Sequence, residues 1–295
     1  MSTAAAHSSI WPRIADLVAL TKPRVTSLVI ATAAVGMGLA PGRIDATRAT
    51  LMLVATVVLV GSANALNCWL ERDTDGFMGR TAERPLPAGR LDSLLALGFG
   101  LLLCLVSLPL LFAINWVTGL LGLLAIVSYV GIYTPLKFLS PQAMVVGAIP
   151  GALPPLMGYT AVTGHVGVGG VLLFGIVFLW QMPHVIGLST YRRHEYAAAG
   201  IRVLPLVAGD RQAQFQAIAW AAALLPCSVA IYALGLAGPI YLVVALGLSA
   251  VYLAAAARGV RDPERDPDRW GRRLFFSSLY YLPVLFTALL LDAVG

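Results

Sequence analysis

The chain has 295 residues, of which 59% are apolar and only 12% charged, with a mean hydropathy of +0.83. Soluble domains average about 45–50% apolar and about 25% charged residues, so the composition excludes a soluble domain and predicts an integral membrane protein. The net charge of +6 is explained by the excess of Lys and Arg that membrane proteins carry in cytoplasmic loops, and no nucleic-acid partner is expected.

The apolar runs are continuous and do not alternate with period two, which favours helices over a barrel. The expected fold class is all-α: a polytopic membrane protein of about nine transmembrane helices around a central cavity open at the cytoplasmic face. Spans of roughly 20 residues fit near 24–41, 48–70, 92–113, 115–134, 143–162, 168–188, 214–235, 238–257 and 274–293. Residues 1–23 then form a cytoplasmic tail, and 24–293 a single membrane domain. The third and fourth spans meet at a very short link around Asn115 and should be antiparallel neighbours. With the N-terminus inside, every Lys and Arg except Arg43 and Arg48 falls on the cytoplasmic side, as the positive-inside rule requires. The start, MSTAAAHSSIWPRIADLVAL, shows neither a signal-peptide pattern nor an Arg-rich transit pattern, so a bacterial inner (plasma) membrane is expected. Cys68, Cys104 and Cys227 lie in apolar runs without CxxC spacing and read as packing residues.

Arg24 opens the first span, where a basic residue anchors topology. The second span ends abruptly in GSANALNCWLERDTDGFMGRTAERPLPAGR (61–90). Asn67, Glu71 and Asp75 are spaced i, i+4, i+8, which places them on one helical face. Carboxylates are costly in hydrocarbon, so they should face a water-filled mouth. Oxygen donors on one face suit Mg²⁺, which bridges to substrate phosphates. Arg80, Thr81, Arg84 and Arg90 follow, and arginine forks match phosphate oxygens. Lys137 is the sole basic residue between Arg90 and Arg192, and Tyr133 lies one turn before it. GAIPGALPPLMGY (147–159) holds three prolines, which predicts a kink or break shaping a cavity wall; packing through small residues is the plainer alternative. His184, with Trp180 one turn earlier, lies in an apolar helix, where ionisable groups are functional suspects. His165 and His7 read as incidental. Glu195 sits in the loop after the sixth span. RGVRDPERDPDRWGRR (258–273) reads as a solvated connection whose charges neutralise one another.

Asn67-x3-Glu71-x3-Asp75 at a membrane helix end resembles the first signature of the UbiA superfamily of intramembrane prenyltransferases, with Glu71 where Asp is usual. DGFMGRTAERPL resembles its haem branch, as do LTKPRVTSLV (20–29), YTPLK (133–137), GAIPGALPPLMGY, WQMPHVIGL (180–188) and EYAAAGIRVLP (195–205). In the second acidic motif only Glu195 carries over. The resemblance implies transfer of the farnesyl group of farnesyl diphosphate to a vinyl group of haem B, in the lipid bilayer, with hydration and release of diphosphate. It implies Mg²⁺ on Asn67, Glu71 and Asp75, with Lys137 and Tyr133 beside them in catalysis. Arg24, Arg80, Arg84 and Glu195 would bind substrate, and His184 with Trp180 would face the haem. A haem A synthase or an oxidase assembly factor is the implied protein partner. Trp69, Tyr133, Trp180 and Tyr191 are the aromatic candidates for steadying a carbocation. Two rivals remain: the same chemistry on a quinone-precursor or other aromatic acceptor, and a transporter. A transporter predicts ionisable groups on both sides of the mid-membrane, whereas here they crowd the inner rim.

Overall fold

The computed structural model describes residues 10–261 and 266–293; His7, Asp262, Glu264 and Arg265 lie outside the described residues. The elements, in chain order, are α1 (Ile10–Leu20), α2 (Pro23–Leu39), α3 (Ala46–Leu70), a 3-10 turn (Asp75–Phe77), α4 (Ser93–Ile114) and α5 (Trp116–Ile126). A π-helical stretch (Val127–Tyr133) carries α5 into α6 (Thr134–Leu136). Then come α7 (Ala143–Thr163), α8 (Val168–Tyr191), α9 (Arg193–Ala198), α10 (Leu204–Ala233), α11 (Pro239–Arg261), α12 (Pro267–Ser278) and α13 (Tyr281–Leu291). Eight described spans are long and apolar enough to cross a membrane, and the count is nine if the bent pair α1–α2 is taken as one span. The multi-pass helical expectation holds.

Local chemistry sets the helix starts. Asp45, Asp92 and Asn115 each accept a hydrogen bond from the backbone N–H three residues on, at 2.9 Å in every case, which satisfies an orphan donor of the first turn. Asn115 thereby ends α4 and starts α5, and the rings of Phe112 and Trp116 close the hairpin at 5.0 Å. This is the short antiparallel link that the sequence suggested.

Two apolar cores form. One joins α8, α10, α11, α12 and α13 through Leu173, Ile176, Leu224, Tyr241, Tyr252, Leu274 and Leu285. The other joins α3, α4, α5 and α7 through Met52, Leu59, Leu111, Ile126 and Met157. The helices α2 and α7 cross almost backbone to backbone. A Cβ on Gly158 would lie 1.9 Å from the Ala33 carbonyl oxygen, and one on Gly36 1.9 Å from that of Pro155.

Three expectations are corrected. First, α7 runs unbroken through Pro150, Pro154 and Pro155, and its 147–159 stretch serves close helix packing and does not line the cavity. Second, the tail contains α1, bent by 49° from α2. Third, the last span starts at Pro267, inside the run read as a solvated connection, and Asp268 of that run accepts from Arg193 at 2.7 Å.

Candidate active site

The helix α3 stops at Leu70, so Asp75 is not on it. The acids still converge, because the i→i−4 pattern persists through the turn: the Glu71 N–H donates to the Asn67 carbonyl (3.0 Å) and the Asp75 N–H to that of Glu71 (2.8 Å). Thr81 ties the loop back by donating its hydroxyl to the Asp75 carbonyl at 2.7 Å. The one-face arrangement thus survives, built from a helix end plus a capped turn.

These residues open into a cavity of about 220 Å³. Asn67, Glu71, Asp75, Thr81 and Lys137 are all buried at its wall. Lys137 Nζ lies 2.5 Å from Glu71 and Arg84 2.5 Å from Asp75. Arg84 also reaches to 3.9 Å from Glu71. Asn67 donates its amide to Glu71 and, at 3.2 Å, to the Thr134 hydroxyl. Its carbonyl oxygen accepts from Lys22 Nζ at 3.1 Å. Asp75 Oδ1 is buried with no hydrogen-bond partner. Burial pushes the Asp75 carboxyl above the ordinary carboxylate range, against the opposing pull of Arg84.

Three segments close over the mouth. Met78, Ala199 and Ile201 form a small apolar cluster with Phe138, Tyr196 and Val203. Arg80 donates to the Tyr196 hydroxyl at 3.3 Å and pairs with Glu195 at 3.7 Å. The Arg202 N–H donates to the Lys137 carbonyl at 3.0 Å. Opposite, Tyr129 and Tyr133 stack at 5.5 Å and both line the cavity. Their place on a π-helical stretch fits the habit of such bulges to occur at functional sites. A Cβ on Gly147 would meet the Tyr133 ring at 2.6 Å, so α7 backs that ring directly.

The UbiA prenyltransferase family model matches residues 29–279. The chain belongs to the UbiA prenyltransferase family. It is 49% identical over 291 residues to the protoheme IX farnesyltransferase of Myxococcus xanthus, with 98% of each chain covered. Its fold matches that of a digeranylgeranylglyceryl phosphate synthase with a TM-score of 0.82 at 16% identity, covering 95% of this chain and 98% of that one. It also matches a UbiA homolog from Archaeoglobus fulgidus bound to GPP and Mg²⁺, with a TM-score of 0.70 at 17% identity, covering 93% and 99%. At these identities the structural matches show the UbiA fold alone.

In this family member the cavity gathers Asn67, Glu71, Asp75, Arg80, Thr81, Arg84, Tyr133 and Lys137 of the residues singled out from sequence. It does not gather the others. Arg24 is exposed on α2. Glu195 stands behind the mouth, held by Arg192 at 2.5 Å and by Arg80. Trp180 and His184 stack at 4.9 Å and face α12: the Trp180 indole donates to the Ser278 carbonyl at 2.9 Å, while His184 packs on Phe275 and meets the Ser278 hydroxyl at 2.6 Å. Of the aromatic candidates only Tyr133 is in the wall. Trp69 donates to Ser93, and Tyr191 lies under Arg192 and Arg272.

The sequence reading missed Lys22, Tyr129, Ser189, Tyr196 and Arg202, all of which line the cavity. Lys22 is the residue with most to explain. It is the one non-glycine among the described residues with positive φ (50°), a strained state that a Lys adopts only when the surroundings impose it. Here the turn between α1 and α2 aims its ammonium at Asn67.

Proposed function

We propose that this UbiA-family protein transfers the farnesyl group of farnesyl diphosphate to a vinyl group of haem B, giving haem O and diphosphate. The observation that carries this reading is the lining of the cavity. Lys22, Arg80, Arg84, Lys137 and Arg202 are set against only Glu71 and Asp75, beside a wall of tyrosines. Such an excess of cations suits a polyanion, and the tyrosine faces suit a carbocation. The close likeness to a protein named for protoheme farnesylation supports the donor and the acceptor. Among the described residues the buried charged side chains are Glu71, Asp75 and Lys137, all in this cavity, which argues against an ion path across the membrane.

The donor set also fits Mg²⁺. No group of three His, Cys, Asp or Glu converges among the described residues, so Asn67 completes the set with Glu71 and Asp75. The buried, unpartnered Oδ1 of Asp75 is an oxygen left available to a cation. Mg²⁺ held there would neutralise charge on the diphosphate, and the homolog bound to GPP and Mg²⁺ supports that pairing. Arg84 and Lys137 exchange their carboxylate partners for diphosphate oxygens, joined by Lys22, Arg80 and Arg202. These preorganised donors meet the charge that grows as the C1–O bond breaks. Tyr129 and Tyr133 steady the allylic cation. The vinyl group attacks C1, a carbon–carbon bond forms, and water adds to the resulting cation with loss of a proton, giving the hydroxyl. Met144, Val185 and Leu204 line the cavity and ration water until then.

The inner-rim charges support a mouth and an N-terminus on the cytoplasmic side of the plasma membrane, with 24–293 read as one membrane domain. Haem A synthase or an oxidase assembly factor is the partner that would receive the product. The test is a pigment assay: membranes containing the protein, haem B, farnesyl diphosphate and Mg²⁺, with extracted haems identified by mass. Hydroxyethylfarnesyl haem is the expected product. Diphosphate release without it would refute haem B as acceptor, and the absence of both diphosphate release and haem product in folded protein would refute the transferase reading.

A further inference from the structure

A second hollow, of about 410 Å³, lies between α11 and α12 and shares no lining residue with the active-site cavity. Its shape follows from two stripes. On α11, Val251, Ala254, Ala255 and Arg258 fall at i, i+3, i+4, i+7, which is one helical face. On α12, Arg269 and Arg273 are one turn apart on the facing side. The alanines leave the space open, and Val251 is 64% exposed on the outside of the bundle. Trp270 fixes the floor. It is buried, its indole donates to the Ala256 carbonyl at 3.2 Å, and it fits only because residue 259 is glycine, where a Cβ would sit 2.7 Å from the indole nitrogen. The groove therefore has three guanidinium groups at its inner end. An apolar trough leads from them towards the bilayer, and Arg258 to Val251 spans about 10 Å of it.

We propose that this groove binds an anionic phospholipid of the inner leaflet, with its phosphate on Arg258, Arg269 and Arg273 and one acyl chain along Ala254 and Val251. Basic pockets between membrane helices on the cytoplasmic side take phosphate headgroups, and guanidinium forks match phosphate oxygens. A lipid is favoured over a free anion because the trough continues the charge site into hydrocarbon. It is favoured over haem because the groove opens outward to lipid, on the far face of α12 from the aromatic stack of Trp180, His184 and Phe275.

The test uses the full-length protein in detergent and native mass spectrometry, with phosphatidylglycerol and phosphatidylcholine of equal chain length as probes. Wild type should retain phosphatidylglycerol preferentially. Each arginine near a headgroup contributes about five-fold in affinity, so the triple variant Arg258→Gln/Arg269→Gln/Arg273→Gln should lose roughly 100-fold. Ala254→Leu keeps the arginines, fills the trough and should lose the lipid too. Both variants should keep wild-type farnesyl transfer in phosphatidylcholine nanodiscs, which shows that they are folded. Equal retention of the two lipids by wild type would overturn the proposal. So would unchanged preference in either variant, or displacement of the lipid by equimolar haem B or by inorganic phosphate.

Discussion

Asp75→Asn separates the chemistry of the cavity from its stability. Asp75 is fully buried, with Oδ2 on Arg84 at 2.5 Å and Oδ1 unpartnered. Because burial raises its pKa, the fold favours the neutral acid. The stability gained from protonation is fully present below the unfolded pKa and is lost as pH rises through the folded one. Above the folded pKa the ionised carboxylate thus costs folding free energy. Asparagine removes that cost, keeps an acceptor for Arg84, and gives up part of the charge attraction. The two changes oppose each other, and the expected net effect on stability is within about 1 kcal/mol. Turnover responds differently. Losing a preorganised charge at the leaving group typically costs about 10²–10³-fold, or roughly 2.7–4 kcal/mol at the transition state. The assay is haem O formation against Mg²⁺ concentration, with thermal melts on the same preparations. The raised pKa also places the acid limb of activity above the ordinary carboxylate range, and added Mg²⁺ should move that limb to lower pH by favouring the ionised form. Turnover within five-fold of wild type, with unchanged Mg²⁺ dependence, would refute the role given to this carboxylate.

Three further outcomes are expected. Lys137→Met leaves Glu71 buried without its nearest cation and should destabilise the protein by about 3 kcal/mol; adding Glu71→Gln should restore the melting temperature but not turnover, which a melt and the pigment assay together resolve. Gly158→Ala forces α2 away from α7, since its Cβ would fall 1.9 Å from the Ala33 carbonyl oxygen; overpacking of this kind costs about 3 kcal/mol, visible as a lower melting temperature in detergent. His184→Ala removes the stack on Trp180, the tilted ring contact with Phe275 and the contact to Ser278 and should cost about 3 kcal/mol, with haem O formed per folded molecule unchanged. Lost haem product at an unchanged melting temperature would instead bring that histidine into the acceptor site.

His184 also shows where sequence reasoning stops. On α8 the cavity is lined by Val185 and Ser189. His184 precedes Val185 by one residue, a rotation of about 100°, and so it meets α12. In a helix that is apolar on all sides, no periodicity reveals which face looks inward. Asn67, Glu71 and Asp75 were legible because they interrupt an apolar run and their spacing needs only local geometry. Arg84 and Lys137 were legible as cations, but their pairing with those acids is tertiary. Lys22 was hidden because its value lies in a left-handed backbone turn that nothing in LTKPRV spells out. Tyr129 depends on a π-helical stretch for which the sequence has no marker. Glu195 was expected to bind substrate, yet Arg192 and Arg80 occupy it; a carboxylate that close to arginines serves first to hold them.

The same relation explains why the cavity can exist before its substrate arrives. A cluster of five cations at the membrane surface would repel itself, and a buried lysine without a counter-ion would be costly. Glu71 and Asp75 offset this by pairing with Lys137 and Arg84 at 2.5 Å, while Glu195 steadies Arg80 at 3.7 Å from outside the wall. A diphosphate entering with Mg²⁺ would offer the cations phosphate oxygens and the carboxylates a metal, so both sets would exchange partners with no charge left unpaired. In the proposed reaction the acids would therefore do two jobs in sequence: they hold the cations in place in the resting protein, and they would hold the metal once the donor is bound. The buried pairs accordingly sit at the helix end, where α3 gives way to the turn that carries Asp75, and not within the packed cores on either side.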